Sequence, residues 1–374
     1  MADAIRPKAR INELDLLRLS AALAVVMYHY SFRGAAADGL SVMSYGLLAP
    51  YAKYGYLGVQ LFFMISGFVI LMTAASGSLR RFVVSRIVRL YPAFWACCTI
   101  TFAASVLFGA AVLRVSAAQY AVNMSMLSGF VGVPSVDGVY WSLFVEMRFY
   151  ALVAIVLLFG RIHRAELLIA FWLSVSIVSH LVHIPGLHFL FITDYSPYFI
   201  AGAMYYIVWT RGMTAFRAAV LTTAWLLGIW QEREMLPAMY AHYHTHLSPY
   251  AVAAIVTVFF AVMGLVSTGR TGIVGRRKWV LAGGLTYPLY LLHQIVGYMI
   301  FNSLYRFTNT HLLFWGTIAV MLACAFCIHV GIEKRFSPAL KKTIERAFDH
   351  LDRRFARVPL QLTEPAVRSS ELGN

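Results

Sequence analysis

The stretch YLGVQLFFMISGFVILMTAA, residues 56–75, contains no Asp, Glu, Lys or Arg. A helix rises about 1.5 Å per residue, so a stretch of this length reaches about 30 Å, the thickness of a bilayer's hydrocarbon core. Nine further apolar stretches of similar character flank it, at 16–32, 90–113, 139–160, 166–184, 195–209, 215–231, 249–267, 281–302 and 312–332. Of the 374 residues 60% are hydrophobic and only 13% are charged, against roughly 25% charged in soluble domains. The expected fold is therefore all-α, a polytopic transmembrane helical bundle of about ten spans. Residues 1–333 form a membrane-embedded domain, and residues 334–374 a basic cytoplasmic tail that is partly disordered. No segment outside the spans is long enough for a separate enzymatic domain, so any chemistry sits among the helices.

The net charge of +15 would suit a nucleic-acid binder, but its distribution points elsewhere. With ten spans and the N-terminus inside, 25 of the 31 Lys and Arg residues fall on the inner side. Arg33, Lys53, Arg114, Arg233 and Arg306 fall outside, and Arg148 lies within a span. That asymmetry is the positive-inside rule at work, and it places both termini in the cytoplasm. The charge is topological, with lipid headgroups as a second partner of the tail.

Arg6, Lys8 and Arg10 precede an apolar run ending in Ala35-Ala36-Ala37, which imitates a secretory signal with a small-residue cleavage site. The segment reads instead as a retained first span. Cys97, Cys98, Cys324 and Cys327 all lie in expected spans and read as small buried apolar residues. His242, His244 and His246 alternate like a strand in an outer loop, but no carboxylate or cysteine completes a metal set at fixed spacing. No metal is expected.

Ionisable groups within the spans carry the functional signal, because each costs roughly 2.5–3.5 kcal/mol at the bilayer centre on insertion scales. His29 lies eleven residues beyond Arg18, a rise of about 16 Å, in an otherwise apolar setting. It reads either as an interfacial histidine beside Tyr28 and Tyr30 or as a nucleophile or general base. Arg86 and Arg89 are spaced i, i+3 at the inner mouth of the third span and share a helix face. They suit a phosphate held by paired guanidinium forks, whereas Arg80 and Arg81 read as anchors. Glu146 lies about 9–12 Å into the fourth span, at a depth comparable to His29. It shares a face with Tyr150 but not with Arg148, so each needs another partner, and Glu146 reads either as a structural salt link between helices or as a carboxylate that orients or deprotonates a catalytic group. Tyr140 and Trp141 form an aromatic belt pair. In GGLTYPLYLLHQ, His293 sits behind a kink at Pro288. Gly55, Gly58, Gly67 and Ser66 allow helices to approach closely around the second span.

These segments, in this order, resemble the acyltransferase-3 family of bacterial integral-membrane O-acyltransferases. The resemblance runs from about Leu14 to Glu333 and rests on Leu14-Asp15-Leu16-Leu17-Arg18 with His29, GYLGVQLFFMISGF, SRIVRLYPAFW, YWSLFVEMRFY and GLTYPLYLLHQ. It implies an enzyme of the cytoplasmic (inner) membrane that moves an acyl group, usually acetyl, from acyl-CoA to a hydroxyl of a surface polysaccharide or lipid-linked sugar. By the same resemblance His29 and Glu146 are catalytic, and Arg86, Arg89 and Arg18 bind the donor. Tyr150, Trp141 and His293 are expected to contact substrate or to support the site. Many members carry an acid where this chain has Gln60, which puts any role of that acid in doubt here, and the chain has no appended esterase-like domain. A transporter would also place ionisable groups at mid-membrane, but the internal repeat common in transporters is not visible.

Overall fold

The computed structural model describes residues 11–109, 113–182 and 184–356. Arg6, Lys8 and Arg10, residues 110–112 of the expected third span and residues 357–374 of the tail lie outside the described residues. Within them every regular element is helical. The long helices are α1 (Asn12–Tyr28), α2 (Gly58–Ala74), α3 (Leu79–Phe108), α4 (Trp141–Leu158), α5 (Ala165–Val182) and α6 (Ser196–Arg211). They continue with α7 (Ala215–Tyr243), α8 (Pro249–Ser267), α9 (Val280–Leu304), α10 (Thr310–Ile328) and α11 (Lys334–Ala356).

Each apolar stretch of the sequence has become a helix, but apolarity and helix length do not coincide. Six helical stretches are long and apolar enough to cross a membrane: Gly55–Ala74, Leu79–Phe108, Gly138–Leu158, Ile162–Val182, Pro249–Ser267 and part of the continuous Thr310–His350. Of the others, α1 and α6 are only 17 and 16 residues long. Helix α7 carries Glu232, Arg233 and Glu234, and α9 carries Gly283, Gly284, Pro288, His293 and Gln294. Helices α6 and α9 are mostly enclosed by their neighbours, so packing supplies what hydropathy toward lipid does not.

The centre of the bundle is built by α1, α2, α3, α6 and α9. Helices α2 and α6 meet backbone to backbone: a Cβ on Gly202 would fall on the Met64 carbonyl, and one on Gly67 on that of Phe199. The close approach read from the glycines of the second span is present, with Gly202 as its counterpart on α6. Helix α1 does not stop at Tyr28. It runs through a π turn, His29–Arg33, into Gly34–Ala36, and a second π turn, His329–Glu333, joins α10 to α11. Such turns widen a helix by one residue and re-aim its side chains, and they recur at functional sites.

Segments that the charge pattern assigns to one side do meet. Asn12 donates to the Gly275 carbonyl at 3.2 Å, and Arg217 forks onto Glu166 with both contacts at 3.0 Å. At the opposite end Lys53 donates to the His246 carbonyl at 2.8 Å, and Tyr45 bonds His311 at 2.6 Å. Two sequence expectations change. His242 closes the last turn of α7 and His244 has a left-handed backbone with φ of 49°, so the histidine alternation is a helix end rather than a strand. Cys97 and Cys98 are buried, but Cys327 is exposed on α10, because in this fold an apolar surface can face outward. Residues 334–356 of the tail form a helix laid along the start of α3. Arg80 binds Asp349 at 2.6 Å and Asp352 at 3.2 Å, and Ser337 donates to the Val88 carbonyl at 3.3 Å.

Candidate active site

Two histidines from distant parts of the chain face each other inside the bundle. His29, the first residue of the π turn in α1, is 4% exposed, and His293 of α9 is fully buried. His29 Nδ1 lies 2.9 Å from the Val25 carbonyl and 3.1 Å from His293 Nε2. His293 Nδ1 in turn lies 2.9 Å from the Tyr290 carbonyl. A carbonyl oxygen only accepts, so each Nδ1 carries the hydrogen. His293 Nε2 is then bare and accepts from His29 Nδ1–H. His29 Nε2 is left as a bare lone pair, buried and without a partner among the described residues. The tautomers follow from the hydrogen-bond network, and they leave an unprotonated imidazole nitrogen available for chemistry.

The backbone around the pair is tied down. Tyr30 donates to the His293 carbonyl at 2.6 Å. Asp137, which the sequence presents only as an outer turn, is completely buried. Its carboxylate accepts from Val139 N and from Ile295 N, each at 3.1 Å. The position of His293 is thus held from α1 on one side and from the start of α4 on the other.

A separate cavity of about 110 Å³ opens among α1, α2, α3, α4 and α9. Arg18, Arg86 and Arg89 line it together with Glu146, Ser66 and Tyr150. Ser66 donates to Glu146 at 2.5 Å. Arg86 donates to Ser85 at 2.8 Å and lies over the Tyr150 ring at 5.9 Å. Arg89 pairs with Glu333 at 3.6 Å, and Glu333 holds His329 at 2.5 Å. The cavity thus concentrates three guanidinium groups around one carboxylate. The three arginines expected at the donor site come together here, as do Glu146 and Tyr150.

Other expected neighbours do not meet. Glu146 contacts Ser66 and the arginine cavity, while the partner of His29 is His293. Helical rise gives the depth of a residue but not the direction it faces, and Glu146 faces α2. His293, read from the sequence as a supporting residue, is the direct partner of His29. Trp141 packs against Phe63 and Tyr195, with ring centroids at 6.3 and 5.4 Å, and does not line the cavity. Arg148 finds its separate partners on the 188–189 carbonyls, that of Phe189 and, at 3.3 Å, that of His188. Gln60 donates at 2.8 Å to Glu232 of α7, which also accepts from Tyr198 at 3.0 Å. A buried carboxylate therefore does stand beside position 60, supplied by another helix.

Tyr290 belongs to both halves of the site. It lines the cavity, bonds Ser142 there at 2.7 Å, and packs its ring against His293 at 5.8 Å. The two histidines themselves do not line the cavity. An arginine-lined cavity and a bare imidazole nitrogen thus lie on either side of one tyrosine.

The acyltransferase domain family (acyltransferase-3) matches residues 11–330. The chain belongs to that family. It is similar to Nodulation protein 10 of Rhizobium leguminosarum bv. viciae, 27% identical over 210 residues. That match covers 50% of this chain and 54% of the relative, so the chain spans about half the length of the curated relative it matches. No solved structure matches it.

Proposed function

We propose that this enzyme takes an acyl group, acetyl in the simplest case, from cytoplasmic acyl-CoA and transfers it to a hydroxyl of a surface polysaccharide or lipid-linked sugar. The observation that carries the reading is the bare, buried Nε2 of His29, held in its tautomer by Val25 and His293. As the acceptor oxygen attacks the thioester carbon, Nε2 takes the hydroxyl proton. The carbon–sulfur bond breaks, and the proton passes to the departing thiolate. The same nitrogen can instead attack the thioester first and carry the acyl group to the acceptor. Rapid quenching and a search for acyl-histidine separates the two routes. The arginine cavity receives the donor, and its acyl arm reaches the histidines once Tyr290 releases Ser142. Burial excludes water and limits wasteful thioester hydrolysis.

The decisive experiment follows labelled acetyl from acetyl-CoA in purified protein supplied with a sugar acceptor. Failure of both transfer and slow hydrolysis overturns the proposal, and solute flux independent of CoA would replace it. Mass spectrometry of surface glycans with and without the gene identifies the acceptor.

Arg86→Ala and Arg89→Ala are expected to weaken acyl-CoA binding, since each removes a charge-assisted contact worth about 1.5–3 kcal/mol. Arg→Lys should rescue only partly, because a point charge does not reproduce the bidentate fork. Binding isotherms with CoA check this, and unchanged affinity would remove both residues from the donor site. Arg80→Ala is not a neutral control as its position in the sequence suggests, because Arg80 secures α11.

We further propose ten crossings of the inner membrane with both termini in the cytoplasm. The charge asymmetry supports this, as does the pairing of segments at each end of the bundle. A reporter fused after Asn374 is expected to work only as a cytoplasmic enzyme, and one near His244 only as an exported one. The opposite pattern would overturn the map.

A further inference from the structure

A second and larger cleft, of about 660 Å³, lies between the first turns of α3 and the charged helix α11. Its cationic lining comes from Arg80, Arg81, Arg89 and Lys341, and Ser78, Ser85 and Ser337 add hydroxyls. Glu345 is its single acidic lining residue, 3.8 Å from Lys341. Arg80 is already engaged by Asp349 and Asp352, whereas Arg81 has no ion pair among the described residues. Arg89 lines both this cleft and the arginine cavity, so the two spaces share a side chain. Their sizes differ in kind. A space of about 110 Å³ admits a slender arm, whereas 660 Å³ falls in the range of whole small-molecule sites.

We propose that this cleft binds the phosphorylated nucleotide end of the acyl-CoA donor, with α11 as one wall of the site. The inference rests on the acyl-CoA reading above and extends it to residues of the tail. The pantetheine arm then enters past Arg89 into the arginine cavity, while Arg81 and Lys341 meet the phosphates and the serine hydroxyls complete their hydrogen bonds. Arg80 acts as a positioning residue: it fixes α11 against α3 and so sets the width of the cleft. The helix that the sequence presents as a basic tail becomes part of donor recognition.

The test uses the full-length protein in nanodiscs of phosphatidylcholine, with binding of CoA, dephospho-CoA (which lacks the 3′-phosphate) and pantetheine measured by calorimetry. Wild type is expected to prefer CoA to pantetheine. Arg81→Ala and Lys341→Ala should each weaken CoA binding about tenfold while leaving pantetheine binding unchanged. In transfer assays the same variants should raise KM for acetyl-CoA and spare kcat. If wild type discriminates while both variants bind CoA as it does, the cleft is not the nucleotide site, and the acyl-CoA reading survives. If wild type binds neither CoA nor pantetheine, that underlying reading fails instead. A defect seen only in discs containing phosphatidylglycerol would assign the cleft to a lipid headgroup and overturn the proposal.

Discussion

His29→Ala is expected to abolish acyl transfer while leaving insertion and donor binding nearly intact. The substitution removes the bare Nε2 on which both chemical routes depend, and general-base loss alone costs typically about 10²–10⁴-fold. Loss of a covalent carrier would cost at least as much. Donor binding should persist because His29 lines neither the arginine cavity nor the cleft beside α11. The measurement is labelled acetyl transfer at equal protein level, with CoA affinity determined in parallel. Near-normal transfer would remove His29 from the mechanism.

His293→Ala should lower transfer by about tenfold to a hundredfold, a loss of one to two factors of 1.4 kcal/mol in transition-state stabilisation. Its Nε2 accepts from His29 Nδ1–H, so under the proposed mechanism it orients the reacting ring and stabilises the imidazolium formed when His29 Nε2 takes a proton. The Val25 carbonyl still holds the tautomer in the variant, which is why the loss should be smaller than that of His29→Ala. His293→Gln keeps an acceptor near Nδ1 and should recover part of the activity. Residues acting as one unit are non-additive, so the double variant should be no worse than His29→Ala. A fully multiplicative double variant, or an active His293→Ala, would separate the two histidines.

Much of the bundle is legible in the sequence, because membrane helices must be long and apolar and these properties are local. All ten apolar stretches correspond to helices. Their ends are less legible: α3 starts at Leu79 rather than near residue 90, because an amphipathic basic start is helical without being apolar. Ser78 caps that start by accepting from Arg81 N at 3.2 Å. The convergence of Arg86 and Arg89 on one cavity is readable from spacing, since i, i+3 fixes a shared face. The His29–His293 contact is not, because the partners are 264 positions apart and nothing local gives the rotation of one helix against another. Asp137 is hidden for a similar reason. An Asp-Gly pair reads as a turn, and only the fold brings that carboxylate to a backbone N–H of α9.

The tyrosine shared by the cavity and the histidine pair has a consequence for the cell's energetics. An enzyme that hands a group from one side of a membrane to the other needs a route through its interior, and any open route is also an ion leak. Each elementary charge that slips through dissipates about 2.3 kcal/mol per 100 mV of membrane potential. With Tyr290 bonded to Ser142, the polar cavity ends short of the histidines, so no continuous file of water need connect the two compartments. Under the proposed transfer the same side chain that must yield to the acyl arm is the seal that protects the proton gradient between turnovers.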